Sequence, residues 1–320
     1  MSIEIKLPRS KPESQGVNSS GIERFLKAVE DKLLDLHSFM LLRNGNVLAE
    51  QWWPPTTPES PNVLFSISKS FTSTAIGFAA AEGLLSIEDQ VLSFFPEEVT
   101  PNIESNMSEL RVRHLLTMTT GHAQDPTASM RDEADGNWIK GFLEIPLEEP
   151  PGTRFVYNSG ASYLLSAIVH RVTGQTLLNY LQPRLFKPLG IMDITWDTCP
   201  KGIECGGWGL HARTEDIAKF GQLYLQKGSW NGKQLLSESW VEDATMSHIT
   251  TERENGIDKQ QGYGYQFYRC RYDAYCARGA NGQFCIVVPE RNAVIVITSR
   301  VTNMQEVLDL VWDNLVSEME

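Results

Sequence analysis

Most of the features that would assign a chain of 320 residues at sight are missing here. Lysine and arginine total 28 against 40 aspartates and glutamates, a formal net charge of −12. A basic surface for nucleic acid or an anionic membrane is therefore not expected. The longest apolar stretch, Ala75–Ala81, is far short of the roughly 20 residues a membrane span needs. The opening MSIEIKLPRSKPE has no apolar core and no small-residue cleavage site, which argues against a signal peptide. Cysteine is scarce: Cys199, Cys205, Cys270, Cys276 and Cys285 are dispersed, odd in number and without a Cys-x-x-Cys pair. Free, buried thiols in a reducing compartment, the cytoplasm by default, are the expectation. Glycine and proline are neither dominant nor periodic and no repeat is present, which excludes collagen and solenoids. Also missing are a Gly-x-Ser-x-Gly elbow, His-Glu-x-x-His, a P-loop and a Gly-x-Gly-x-x-Gly after a strand. The six histidines are scattered with no pair at metal-ligand spacing, so neither a metal nor a cofactor is expected.

What is present is an ordinary globular composition, 41% hydrophobic and 21% charged, enough to bury a large core. Ser19-Ser20 precede an amphipathic stretch, Ile22–Leu34, that reads as a capped helix. Ser38–Arg43 and Asn46–Trp53 flank Asn44-Gly45, the strongest short hairpin signal because both turn positions need positive φ. Ser66–Glu82 is an Ala-rich helix stopped by Gly83. Ser86 with Asp89 resembles a capping box opening a short helix. Arg111–Thr119, Gly160–Val172 and Glu215–Gln226 read as helices, the last capped by Thr214. Gln283–Val288 and Ala293–Thr298 form a second hairpin, and Asn303 with Glu306 starts a final helix. Strands at both chain ends with helices between predict an antiparallel sheet made from both termini around a helical insertion. A doubly wound parallel sheet is excluded by the lack of strict βα alternation.

The chemistry-bearing signal is Ser66-Ile67-Ser68-Lys69. Residues three apart share a helix face, about 5–6 Å apart at Cβ. A serine hydroxyl needs a base to become a nucleophile. A lysine is such a base when burial and a neighbouring cation or dipole bring its pKa toward neutrality. The helix N-terminus favours an oxyanion, and the Ser66 N–H would supply half of an oxyanion hole. About one Ser-x-x-Lys is expected by chance in a chain this long, so the spacing alone decides little. A second element is Tyr157, in Phe155-Val156-Tyr157-Asn158-Ser159-Gly160, which could shuttle a proton if a lysine lowers its pKa.

These residues lie in five blocks: FSISKSFTSTAIGFAAAEGLLSIEDQV (65–91), LRVRHLLTMTTGHAQDP (110–126), PGTRFVYNSGASYLLSAIVHRVTGQTLLNYLQPRLFKPLGI (151–191), GGWGLHARTEDIAKFGQLYLQKGSWNGKQLL (206–236) and GANGQFCIVVPERNAVIVITSR (279–300). In this order they resemble the serine β-lactamase/penicillin-binding-protein superfamily, in the branch of class C β-lactamases, D,D-peptidases and related esterases and amide hydrolases. The resemblance implies an α+β fold with a five-stranded antiparallel sheet, flanked by the terminal helices. Residues 1–83 and 212–320 would make this sheet domain, residues 84–211 a mostly helical insertion, with the site in the cleft between. It further implies Ser66 as the acylated nucleophile, Lys69 as general base or proton relay, and Tyr157 sharing the relay and protonating the leaving group. A second oxyanion N–H would come from the strand near Arg278–Gly282.

Two departures from the family pattern stand out. The second motif, often Tyr-x-Asn, reads Tyr157-Asn158-Ser159, with serine at the substrate-facing position. The third, usually Lys-Thr-Gly or His-Thr-Gly, corresponds to Ala277-Arg278-Gly279-Ala280-Asn281-Gly282-Gln283, with no lysine or histidine. Arg278 could replace the missing cation by holding a carboxylate bidentately, or simply point to solvent. Asn281 could be there for its positive φ. Ser159, Arg278, Gly279, Asn281 and Gly282 are thus the candidate substrate and oxyanion residues. Loops 124–138 and 245–258 are candidates for the cleft walls, with Trp138, Trp208 and Tyr263 either lining it or packed in the core.

The expectation is a serine hydrolase forming an acyl-enzyme with a small ester, amide or β-lactam-like substrate. A D,D-peptidase or β-lactamase recognising penicillins is the alternative. A non-catalytic ligand-binding module on the same fold is a third reading.

Overall fold

The computed structural model describes residues 5–319. Its framework is an antiparallel sheet whose strands come from both ends of the chain. They are β1 (Leu36–Arg43), β2 (Asn46–Trp52), β3 (Tyr268–Arg269), β4 (Tyr275–Gly279), β5 (Gln283–Val288) and β6 (Ala293–Ser299), in the spatial order β2-β1-β6-β5-β4-β3. The sheet has six strands rather than the expected five. The extra one is the two-residue β3, which pairs Tyr268 with Cys276 and Arg269 with Tyr275. β1 lies against β6 with Met40 opposite Val296, so residues more than 250 apart in sequence are direct neighbours. Asn44-Gly45 turns β1 into β2 with φ of 50° and 74°, and Asn292 at φ 47° closes the β5–β6 turn.

Both faces of the sheet are covered, which is why β5 and β6 are buried throughout rather than alternating. On one face Phe39, Leu41, Ile286 and Ile295 pack with α1 (Ser19–Asp31) and the C-terminal helix α5 (Met304–Asn314) through Phe25, Val29, Val311 and Trp312. On the other, Met40, Leu42, Val294 and Val296 join a core running through α4 (Thr214–Leu225) into α2 (Ser68–Ala81) and α3 (Ser159–Thr173). Short helices fill most of the middle of the chain.

Local signals show where pattern reading stopped short. Asn18, not Ser19 or Ser20, caps α1 by accepting from Ser20 N at 3.0 Å. Arg213, not Thr214, is the residue before α4; Thr214 begins that helix. Ser86 and Asp89 make the capping-box bonds (Ser86 N to Asp89 Oδ2, 2.7 Å; Glu88 N to Ser86 Oγ, 3.2 Å), yet they close a turn and no helix follows. The expected helix at Ser66 begins as a 3-10 turn, Phe65–Ile67, and becomes α-helical at Ser68.

Candidate active site

Ser66 stands on that 3-10 turn, and the turn is held under strain. Phe65, the residue before it, sits at φ +47°, a left-handed conformation costly for a bulky side chain. The neighbours over-determine it. Ser68 Oγ donates to Phe65 O at 2.6 Å and accepts from Leu210 N at 3.1 Å, while Leu64 N donates to Leu210 O at 2.9 Å. From the other side β4 presses in so closely that a Cβ on Gly279 would lie 2.3 Å from Leu64 O. Glycine at 279 therefore lets the strand reach the serine turn.

One turn along, Lys69 is 1% exposed. Its Nζ donates to Ser159 Oγ at 2.9 Å and to Gly207 O at 2.8 Å. Burial pushes its pKa down to about 7, with the Asp125 carboxylate pulling weakly the other way. Space around the amine is tight: a Cβ on Gly207 would fall 2.9 Å from Nζ and 2.9 Å from Ser159 O. Asp125 also accepts from Ser159 N at 3.2 Å and Thr127 N at 3.0 Å, which ties its loop to the start of α3.

Tyr157 completes the group. Its hydroxyl is hydrogen-bonded with Ser66, and its ring centroid is 5.1 Å from Lys69 Nζ. Burial raises the phenol's pKa above its ordinary value, against the smaller pulls of Ser66 and Arg278. The expectation that lysine lowers this pKa is corrected: Lys69 is itself close to neutral and burial dominates both groups. Tyr157 rests as a proton donor. The next residue, Asn158, serves the fold by capping α3, accepting from Ala161 N at 2.8 Å while Nδ2 donates to Thr120 Oγ1 at 3.0 Å. Ser159, where the family pattern often has asparagine, turns its hydroxyl to Lys69.

Ser66 and Tyr157 open on a pocket of about 440 Å³ whose other walls include Glu254, Lys259, Tyr268, Arg278 and Asn281. Arg278 lies over the Phe284 ring at 5.4 Å, and its Nε is buried with no hydrogen-bond partner. A guanidinium N–H left unpaired beside a serine hydroxyl is costly unless a ligand completes it. Gly279 and Asn281 (φ 59°) border the pocket. Gly282 does not; its carbonyl accepts from Ser299 Oγ at 2.9 Å inside the sheet.

Of the loops expected to wall the cleft, 245–258 delivers Glu254. It is moored by Asp258, whose buried carboxylate accepts from Arg271 N at 3.1 Å, Arg271 Nη2 at 2.9 Å, Gln305 Nε2 at 2.6 Å and Trp312 Nε1 at 3.0 Å. Trp138 is core, packed on Tyr163 and Trp208, and Tyr263 is 1% exposed beneath Tyr268. Sequence reading missed Asp125, Gly207, Glu254, Lys259 and Tyr268. Only the run Gly206-Gly207-Trp208-Gly209 carried a signal, a glycine cluster outside any hairpin. Among the described residues no group of three or more His, Cys, Asp or Glu side chains could hold a metal ion.

The sheet between terminal helices, a helical middle and a serine on a helix turn beside a strand define the β-lactamase/transpeptidase-like fold. The family model described as Beta-lactamase matches residues 32–315, and the chain belongs to that family. It is 28% identical to the 6-aminohexanoate-dimer hydrolase of Paenarthrobacter ureafaciens over 64% of this chain and 56% of that protein. It is also 28% identical to the lovastatin esterase of Penicillium rubens, over 41% of this chain and 38% of the esterase. These matches span about half the relatives' length or less. Among solved structures, the octameric penicillin-binding protein homologue from Pyrococcus abyssi superposes with a TM-score of 0.73 at 20% identity. That superposition covers 94% of this chain and 78% of that one.

Proposed function

We propose that the protein is a serine hydrolase that cleaves a small ester or amide through an acyl-enzyme on Ser66. The observation that carries the reading is the pairing of a hydroxyl and a near-neutral buried amine one helical turn apart, with a protonated phenol bonded to the hydroxyl. A neutral amine has two N–H bonds and one lone pair. Both N–H bonds of Lys69 have acceptors, Ser159 Oγ and Gly207 O, which frees the lone pair to take the Ser66 proton. Ser66 Oγ then attacks the substrate carbonyl, and the oxyanion is met by the Ser66 N–H and by backbone of the segment 278–282. The Tyr157 phenol gives its proton to the departing oxygen or nitrogen and regains one from the Lys69 ammonium. Water repeats the sequence on the acyl-enzyme. Names of relatives, an amide hydrolase and an esterase, support both substrate types.

The unpaired Arg278 Nε supports a substrate with a carboxylate on the side of Tyr157, and so favours a penicillin-recognising D,D-peptidase or β-lactamase as the second reading. A cytoplasmic location is part of the proposal. Five buried free thiols support it, with Cys270 and Cys276 unbonded at an Sγ separation of 3.3 Å. No described helix is long and apolar enough to cross a membrane. The proposed division into a sheet domain (1–83 and 212–320) and a helical insertion (84–211) is supported by the short helices that fill most of the latter.

The test is p-nitrophenyl acetate under stopped flow. A burst of nitrophenolate and an acetyl adduct on Ser66, both lost in Ser66→Ala, are expected. No adduct with esters, amides or β-lactams would leave only the non-catalytic binding module. Stable labelling by a fluorescent penicillin would move the assignment to the second reading.

A further inference from the structure

Two recesses meet at the serine turn. Asn281 borders both; Ser66 lines the catalytic pocket, and Phe65, one residue earlier, lines the other. The second recess is the larger, about 760 Å³ against about 440 Å³. Its walls combine the faces of Trp53, Pro55, Val63 and Phe65 with the charged head of Arg300. Val63 is 43% exposed although it belongs to a short strand paired with His211. The Arg300 backbone N–H donates to Asp35 O at 2.8 Å, but its side chain has no hydrogen bond or ion pair among the described residues. Asp35, the other charged wall residue, has Oδ1 3.9 Å from His37 Nε2.

The chemistry of the catalytic pocket decides which arm of a substrate reaches this recess. The proton donor to the leaving group, Tyr157, shares its pocket with Glu254, Lys259 and Arg278, so the leaving group occupies that polar side. The acyl arm then runs the opposite way, across Phe65 and Asn281. Aromatic and proline faces cover an aliphatic chain well, and a free guanidinium is the natural partner of a carboxylate. We propose that the recess between Trp53 and Phe65 is an acyl-chain subsite for a medium-length aliphatic acyl group, with Arg300 holding a carboxylate at its far end. The proposal rests on the serine hydrolase reading above.

Three p-nitrophenyl esters with one leaving group test it: acetate, octanoate and the half-ester of suberic acid. In the wild type, kcat/KM for octanoate should exceed that for acetate by about tenfold or more. Val63→Trp, which fills the recess, should bring that ratio close to one while leaving acetate hydrolysis unchanged; the acetate rate also certifies folding. Arg300→Glu should slow the suberate half-ester about tenfold and spare octanoate. An octanoate-to-acetate ratio that is the same in wild type and Val63→Trp overturns the subsite. Equal loss on both long esters in Arg300→Glu overturns the carboxylate assignment. Acetate turnover absent even in wild type sinks the serine hydrolase reading itself, and the subsite falls with it.

Discussion

Lys69 Nζ donates to the main-chain oxygen of Gly207 at 2.8 Å, across 138 positions of sequence. That contact fixes the amine with a neutral acceptor in place of a carboxylate. An ion pair would hold Lys69 charged; a carbonyl and a hydroxyl let burial bring its pKa to about 7.

Activity should therefore rise with pH through about 7 as Lys69 loses its proton, and kcat/KM for a neutral ester measured from pH 5 to 9 reads it. Stability follows the same group. Its pKa in the fold is depressed, so the unfolded chain binds the extra proton between about 7 and the ordinary lysine value of 10.5. The penalty for burying the amine is then full below about pH 7 and fades as pH climbs toward 10.5. The melting temperature of Lys69→Met relative to wild type should fall across that window, and a pH-independent difference would refute the assignment.

Tyr157→Phe separates the roles. A phenol that protonates the leaving group matters for an alkoxide or amine and little for nitrophenolate, which leaves unaided. Anilide or amide hydrolysis should drop by about 10²–10⁴, with p-nitrophenyl acetate affected much less. Equal losses on both would mean that Tyr157 acts only by holding Ser66.

Gly207→Ala brings a methyl to 2.9 Å from the Lys69 amine and from Ser159 O. The amine must yield, because the carbonyl is backbone. A loss of roughly 10²-fold in kcat is expected for an ångström-scale displacement, with a stability cost of about 1–3 kcal/mol from overpacking. Steady-state kinetics with a thermal melt checks both, and an intact pH profile would contradict the placement.

Arg278→Gln should raise KM for substrates carrying a carboxylate on the leaving group by roughly tenfold or more, as loss of a charged hydrogen bond implies. Neutral esters should keep their KM. Parallel loss on both classes would show that Arg278 supports the pocket through Phe284 and not through a ligand.

Much of the fold was legible because its signals are local. Asn44-Gly45 dictates a hairpin by its own φ requirements, Gly83 and Gly174 end helices at φ 71° and 66°, and the buried β5 and β6 are continuous apolar runs. Ser66, Lys69 and Tyr157 were found for the same reason, since a helical turn and a motif are short-range. Asp125, Gly207 and Glu254 were not, because nothing in their own neighbourhoods marks them; only the closed fold brings their loops to α2 and the pocket. The Ser86–Asp89 turn shows the converse. Its capping bonds form, but the residues after it have no face to bury, and tertiary packing decides against a helix.

The seating of β4 against the serine turn, with Gly279 on Leu64, also sets a timetable. A nascent chain exposes residue 66 long before the strand that shapes its surroundings has left the ribosome. β1 likewise waits for β6, which ends at Ser299. Until synthesis is nearly finished the hydroxyl has no crevice, and premature termination anywhere before the last hairpin yields an inert polypeptide with an unpaired, aggregation-prone strand.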